Sequence, residues 1–235
     1  MSEGSNPVAP RLRRLDYKTV WSGLSDTLAR AKMHVIGTED EDALTGSGKA
    51  TADFLSNRVG IRPEDTVLEI GCGIGRVAKQ LAPRCRMWIG CDVSPNMLKL
   101  ARERLREFSN VELLETSGHD LRPIADLSVD VAYCTVVFMH LEPWDRYNLV
   151  KEAFRVLRPG GRVYVDNANL CSDEGWAIFE RHQHYPPHDL PAHMTECSTP
   201  QELQEYLKRA GFAEVETAFD DSFVAVWGRK PNAGS

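Results

Sequence analysis

The run Val67-Leu68-Glu69-Ile70-Gly71-Cys72-Gly73-Ile74-Gly75-Arg76 closes an apolar stretch with a carboxylate and three alternate glycines. Glycines at that spacing let the main chain turn sharply and come close to a ligand, which a Cβ would prevent. The apolar residues before them read as a buried parallel strand. Val77, Ala78, Leu81 and Ala82 after them fall at helical spacing, and Pro83 stops that helix. Strand, glycine loop and helix together make a nucleotide site at the carboxyl end of a strand. The dinucleotide pattern G-x-G-x-x-G is absent, because Arg76 stands where its third glycine would be. No G-K-[ST] follows, so a phosphate cradle is not indicated. A second signal comes one strand later. Met87-Trp88-Ile89-Gly90-Cys91-Asp92 puts a carboxylate at a strand end, 21 residues after Gly71. An acid there can accept hydrogen bonds from both ribose hydroxyls.

A second group of chemistry-bearing residues lies late in the chain. His182, His184, His188 and His193 fall within 167–198 together with Trp176, Phe179 and Tyr185. Two readings are open for them, metal ligands or a histidine-rich lid over a substrate pocket. Their spacing matches no zinc pattern and no cysteine completes one, so the lid is preferred and no metal is expected.

The elements that must carry these residues follow from periodicity and punctuation. Tyr17 to Val35 has Val20, Trp21, Leu24, Leu28, Ala31 and Val35 on one face, an amphipathic helix or helix pair. Thr38 to Asp42 reads as an acidic loop, and Leu44 to Val59 as a further helix ending at Gly60. Ser94-Pro95 starts a helix, with Ser94 as cap. Asn110–Glu115, Val129–Cys134 and Arg162–Asp166 read as the third to fifth strands. A helix over Pro143–Leu157 stops at Arg158-Pro159-Gly160-Gly161, and another starts at Ser172. Thr199-Pro200-Gln201-Glu202 is a capping box, and Gly211 closes the helix it begins. Phe212–Ala218 and Ser222–Trp227 form a closing hairpin. Five β-α units followed by a hairpin predict a doubly wound, mostly parallel sheet. Residues 1–15 and 230–235 read as tails, 16–62 as an N-terminal helical cap, and 63–229 as one catalytic domain with a lid insertion at 167–198.

Four segments in order carry a family resemblance: Val67 to Arg76; Gly90-Cys91-Asp92-Val93-Ser94-Pro95-Asn96-Met97-Leu98; Ser128 to Cys134 running on to Phe138-Met139-His140; and Arg155-Val156-Leu157-Arg158-Pro159-Gly160-Gly161. The chain resembles the class I S-adenosylmethionine-dependent methyltransferases over about two-thirds of its length. The resemblance implies a seven-stranded sheet, with an antiparallel seventh strand inserted between the fifth and sixth. It implies S-adenosylmethionine as cofactor and S-adenosylhomocysteine as product. It places Gly71, Cys72, Gly73 and Gly75 behind the methionine and ribose parts, Asp92 on the ribose, and Val93 and Met97 on either side of the adenine. Met97 is also readable as helix core, and Glu69 as an orienting or a purely structural carboxylate. Ser117 stands where relatives often carry an aspartate near the adenine amino group. Ser117, Gly118 and His119 are therefore candidate cofactor contacts, with Asp120 as alternative, and Cys134 joins them from the fourth strand. His140, just past that strand, is the candidate catalytic base. Tyr17, Trp21, Trp176, Phe179, His182, His184 and Tyr185 are the candidate acceptor-binding residues.

The balance of the chain limits the acceptor. It has 235 residues, 26% charged and 42% hydrophobic, with a net charge of -6. A nucleic-acid partner is disfavoured, since such domains usually present a basic face. The amino terminus lacks the apolar core of a signal peptide and no run is long enough to span a membrane, so a cytoplasmic location is the expectation. The six cysteines form no C-x-x-C pair, and reduced, mostly buried thiols are expected. A methyltransferase of a small-molecule acceptor, at O or N, is the leading reading. A protein or peptide methyltransferase, a non-catalytic cofactor-binding module and a nicotinamide dehydrogenase are the alternatives, the last opposed by Arg76.

Overall fold

Alternate side chains along each central strand go to opposite faces, and each face has its own helices. The computed structural model describes residues 16–185, 193–232 and 234. Its seven strands are β1 (Thr66–Ile70), β2 (Met87–Asp92), β3 (Val111–Glu115), β4 (Val129–Cys134), β5 (Leu157–Ala168), β6 (Ala213–Phe219) and β7 (Phe223–Arg229). They lie in the order β3-β2-β1-β4-β5-β7-β6. The first five are parallel, and β7 runs antiparallel between β5 and β6. This is the seven-stranded arrangement that the resemblance implied.

The helices are α1 (Tyr17–Gly23), α2 (Leu28–Ile36), α3 (Glu41–Phe54), α4 (Ala78–Leu81), α5 (Pro95–Arg104), α6 (Pro143–Val156), α7 (Asp173–His182) and α8 (Pro200–Ala210). Leu68, Ile70, Ala132, Val163 and Val165 pack on one face against Leu149, Val150 and Ala153 of α6 and Leu203 and Leu207 of α8. Val67, Trp88, Val131 and Tyr133 pack on the other, against Ala52 of α3, Ala78 and Leu81 of α4 and Leu98 and Ala101 of α5. Helix starts follow the expected caps: Ser94 Oγ accepts from Met97 N, Ser172 Oγ from Gly175 N and Thr199 Oγ1 from Glu202 N.

Several boundaries differ from the sequence reading, each for a local reason. Asp40, expected in a loop, caps α3 by accepting from Asp42 N and Ala43 N. Pro83 sits inside a short 3₁₀ turn, Ala82–Arg84, that prolongs α4. Strand β5 starts at Leu157 rather than Arg162, because Leu157 already pairs with Val129 across a register shift. Gly160, at φ +77°, lets the chain pass through that irregularity. Lys230, expected in a tail, is buried, and its Nζ donates to Phe154 O at 2.5 Å and Leu157 O at 2.8 Å. Cys72, Cys85, Cys91 and Cys134 are buried free thiols, Cys197 is half-buried and Cys171 is exposed. No helix among the described residues is long and apolar enough to cross a membrane. Residues 1–15 and His188 lie outside the described residues.

Candidate active site

The glycine loop leaves β1 at the centre of the sheet, where strand order reverses between β1 and β4. Its first turn is fixed from β2: Gly71 N and Cys72 N both donate to Cys91 O, at 2.8 and 2.9 Å. Gly71 (φ +74°) has Val137 so close that a Cβ would lie 2.4 Å from Cγ2. Gly75 (φ +76°) instead faces α5's C-cap residue, where a Cβ would fall 2.8 Å from Leu105 Cδ1. The third glycine therefore packs the loop onto the fold and the first two shape its open side.

A cavity opens over that side, lined by Gly71, Gly73, Asp92, Val93, Met97, Thr116 and Gly118 from the strand ends and by Tyr17, Trp21 and His34 from α1 and α2. Asp92 is its polar anchor. Oδ2 accepts from Gly73 N and Oδ1 from Ser94 N, each at 2.8 Å. Burial raises its pKa, and the same amide bonds oppose that rise. Each oxygen keeps a second lone pair for a ligand donor, which is what a ribose diol requires. Gly118 (φ +84°) lies against Val93 and Tyr17, where a Cβ would come to 3.2 Å and 3.4 Å of them. These features fit the nucleoside cofactor that the resemblance implied.

Six expected cofactor contacts lie elsewhere. Gly75 faces Leu105, as above. Glu69 accepts from Tyr133 Oη at 2.5 Å, Tyr133 accepts from Trp88 Nε1 at 3.1 Å, and burial pushes Glu69 up to about 8. It sits under the loop and outside the cavity lining. Cys72 and Cys134 point into the two cores. Ser117 is exposed and its Oγ accepts from His119 N and Asp120 N, closing a turn. His119 turns away to a surface cleft shared with Asp120, Arg122 and Asn148. Thr116, Leu121, Val137 and Leu149 line the cavity and carry no sequence signal beyond ordinary strand and helix patterning.

A second cavity adjoins the first, and the two share Trp21, His34, Val136 and His140. His140 ends the 3₁₀ turn Phe138–His140. Its ring meets Trp21 edge-on, with centroids 4.7 Å apart. Nδ1 is buried and without a partner among the described residues. Burial, reinforced by His193 and His34 nearby, pushes the imidazole down to about 4, against the backbone hydrogen bonds at His193 and Met194. His34 and His193 stand edge-on at 5.1 Å. The second cavity is also lined by the apolar residues Phe54, Met139, Phe223 and Ala225 and by the polar residues Thr51, Arg76, Tyr164 and Asp166. Asp166 accepts from Thr135 Oγ1 (2.6 Å), Val136 N (2.7 Å) and Tyr164 Oη (2.9 Å). Val136 is held at φ +60°, a strained conformation for a β-branched residue.

The expected acceptor-binding residues divide. Tyr17 lines the first cavity, its hydroxyl donating to Asp145 at 3.0 Å, so it belongs to the cofactor side. Trp21 lines both. Helix α7 does reach the second cavity, but through Glu174 and Ile178. Trp176 and Phe179 are on its outer face, half exposed and stacked on each other at 5.2 Å. Phe179 and His182 border a separate surface groove, and His184 and Tyr185 are exposed. The helical period is right, but the face chosen for the aromatics is the wrong one. Among the described residues no group of His, Cys, Asp or Glu could hold a metal ion.

Comparison with known proteins agrees with this geometry. The methyltransferase-domain family matches residues 68–165. The O-methyltransferase resE of Aspergillus sclerotiorum is 30% identical over 214 residues, 85% of this chain and 75% of that protein. The arsenite methyltransferase of Halobacterium salinarum is 33% identical over 175 residues, 70% of this chain and 42% of that protein. The chain spans less than half the length of the first curated relatives it matches. Among solved structures, an S-adenosylmethionine-dependent methyltransferase of Thermotoga maritima superposes with a TM-score of 0.61 at 24% identity, over 80% of this chain and 92% of that one. Sequence kinship across most of the chain, a shared fold, and a glycine loop paired with Asp92 lead to one assignment: the chain belongs to the class I S-adenosylmethionine-dependent methyltransferases.

Proposed function

We propose that the protein transfers a methyl group from S-adenosylmethionine to an oxygen or nitrogen of a small molecule. The observation that carries this reading is the pair of cavities meeting at Trp21, His34, Val136 and His140. One is shaped by the glycine loop and Asp92, the other has an apolar body with a few polar groups, as a small-molecule site requires. Bound S-adenosylmethionine supplies an electrophilic methyl group. The protein's part is to hold the two reactants in line and keep water out. Asp92 would hold the ribose hydroxyls, Val93 and Met97 the adenine, and Gly71 and Gly73 the methionine end.

At the junction, Trp21 and Val136 narrow the passage while His140 offers an uncharged imidazole. An imidazole that titrates near 4 is uncharged at neutral pH, so the ring can accept a hydrogen bond from the acceptor's O–H or N–H. It is too weak a base to remove a proton outright, and it positions the donor until the methyl group arrives.

The test combines binding and turnover. Calorimetry should detect S-adenosylhomocysteine, and a panel of phenols, amines and carboxylic acids with methyl-labelled cofactor should yield labelled product. Binding without turnover on any small acceptor, together with labelling of an added basic peptide, would replace this reading with a peptide methyltransferase.

A further inference from the structure

Arg76, the residue that breaks the dinucleotide pattern, takes no part in the first cavity. It borders the second, and it is 7% exposed. Its Nη1 donates to Thr51 Oγ1 at 3.1 Å, and that is its only hydrogen bond among the described residues, with no ion pair. A guanidinium has five N–H donors and does not give up its charge. Burying one is costly unless an opposite charge brings matching acceptors. Helix α3 packs closely on the main chain and stem of this residue: a Cβ at Gly48 would lie 2.4 Å from Arg76 O and 3.2 Å from its Cγ. Two buried acids, Asp166 in the cavity wall and Glu69 under the loop, act on Arg76 only through space: Asp166 spends its oxygens on Thr135, Val136 and Tyr164, and Glu69 accepts from Tyr133. Glu174 and Asp220, also on the cavity wall, are exposed and are taken up by Ser222 and by Ser222 N and Phe223 N.

We propose that Arg76 binds a carboxylate of the methyl acceptor. The second cavity then takes a small molecule with three parts: a nucleophilic O–H or N–H at the His140 junction, an apolar body against Phe54, Met139 and Phe223, and a carboxylate at the Arg76 end. The planar fork of a guanidinium matches a carboxylate with two parallel hydrogen bonds. This assignment rests on the methyl-transfer reading above and names its substrate class.

The test is calorimetric, on the full chain with S-adenosylhomocysteine present. Benzoate, 3-phenylpropanoate and 4-hydroxyphenylacetate are compared with their amides, and inorganic phosphate is titrated separately. At least one acid is expected to bind about ten-fold or more tightly than its amide, because a site built for a charged group rejects the analogue that lacks it. Arg76→Met should bring that pair within about two-fold, and Arg76→Lys, which keeps the charge but loses the fork, should lose most of the preference. Acids and amides binding alike, no acid binding, or a preference that survives Arg76→Met would overturn the assignment. Binding of phosphate but of no acid would overturn the carboxylate in favour of a phosphate ester. Should Arg76→Met fail to fold, the wild-type acid-to-amide ratio and Arg76→Lys still decide. Failure of the methyl-transfer reading looks different: S-adenosylhomocysteine itself would not bind, whatever the acids do.

Discussion

Three arginines are buried among the described residues, and two of them, Arg146 and Arg76, are treated in opposite ways. Arg146, 1% exposed, is saturated. Its Nε donates to Phe138 O at 2.8 Å, Nη1 to Ser198 Oγ at 2.9 Å and Glu202 Oε1 at 3.2 Å, and Nη2 to Glu196 O at 3.1 Å and Oε2 at 3.4 Å. One side chain thus ties the turn carrying His140 to α8 and to the segment before it. Arg76 is nearly as buried and has one neutral partner. The contrast teaches that burial of a cation does not by itself mark structure or function. The count of internal acceptors does: a saturated guanidinium holds the fold, and one left with spare donors beside a cavity is set for a ligand.

The comparison can be broken by mutation, most severely at Arg146. Arg146→Met removes all five hydrogen bonds of this buried guanidinium, two of them to the carboxylates of Glu196 and Glu202, and should cost about 3–5 kcal/mol in urea unfolding. A loss under 1 kcal/mol would erase the distinction between the two arginines.

Next in size is the acid dependence at the turn that Arg146 holds. His140 titrates at about 4 when folded, below the ordinary value of 6.5. The unfolded chain therefore takes up the proton first as pH falls. The stability this group contributes is complete above 6.5 and is lost as pH drops toward 4. At about 1.4 kcal/mol per pKa unit, and with part of the ring facing the cavities, the loss is roughly 2–3 kcal/mol. Unfolding midpoints measured across that window should steepen in wild type and flatten in His140→Asn.

On the cofactor side, Asp92→Asn turns one acceptor oxygen into a donor. It should weaken S-adenosylhomocysteine by about 1–3 kcal/mol in calorimetry. Unchanged affinity would remove the ribose from Asp92. The smallest effect sharpens the contrast most. Arg76→Met should alter folding stability by less than about 1 kcal/mol in either direction, since the cation has almost no internal bonds to lose. A cost like that of Arg146 would make Arg76 structural.

What was legible in the sequence follows the range of the physics involved. Strands β2 and β4 read to the residue, and the caps at Ser94, Ser172 and Thr199 were plain, because alternation and capping act within a few residues. That Gly71, Gly73 and Asp92 would meet at one cavity was legible, because a sharp glycine turn and a strand-end acid are particular residue types at fixed spacing. The lining of the second cavity was not. Thr51, Arg76 and Asp166 come from three separate elements, and only the assembled sheet brings them to one cavity. The same limit misplaced α7: periodicity found the helix, but which face met the cavity depended on tertiary packing, and Ile178 rather than Trp176 points inward. The extra residues of β5 were hidden because Arg158-Pro159-Gly160-Gly161 is a turn signal that pairing overrode.

Val136 borders both cavities, and Asp166 holds its amide in a strained backbone conformation. A left-handed backbone there disfavours any residue with a Cβ, so exchanging the Val136 side chain for another leaves the strain in place. Selection or design that alters acceptor girth is therefore channelled to the other three residues of the passage, Trp21, His34 and His140. Of these, Trp21 offers the largest volume to remove without touching a titrating group.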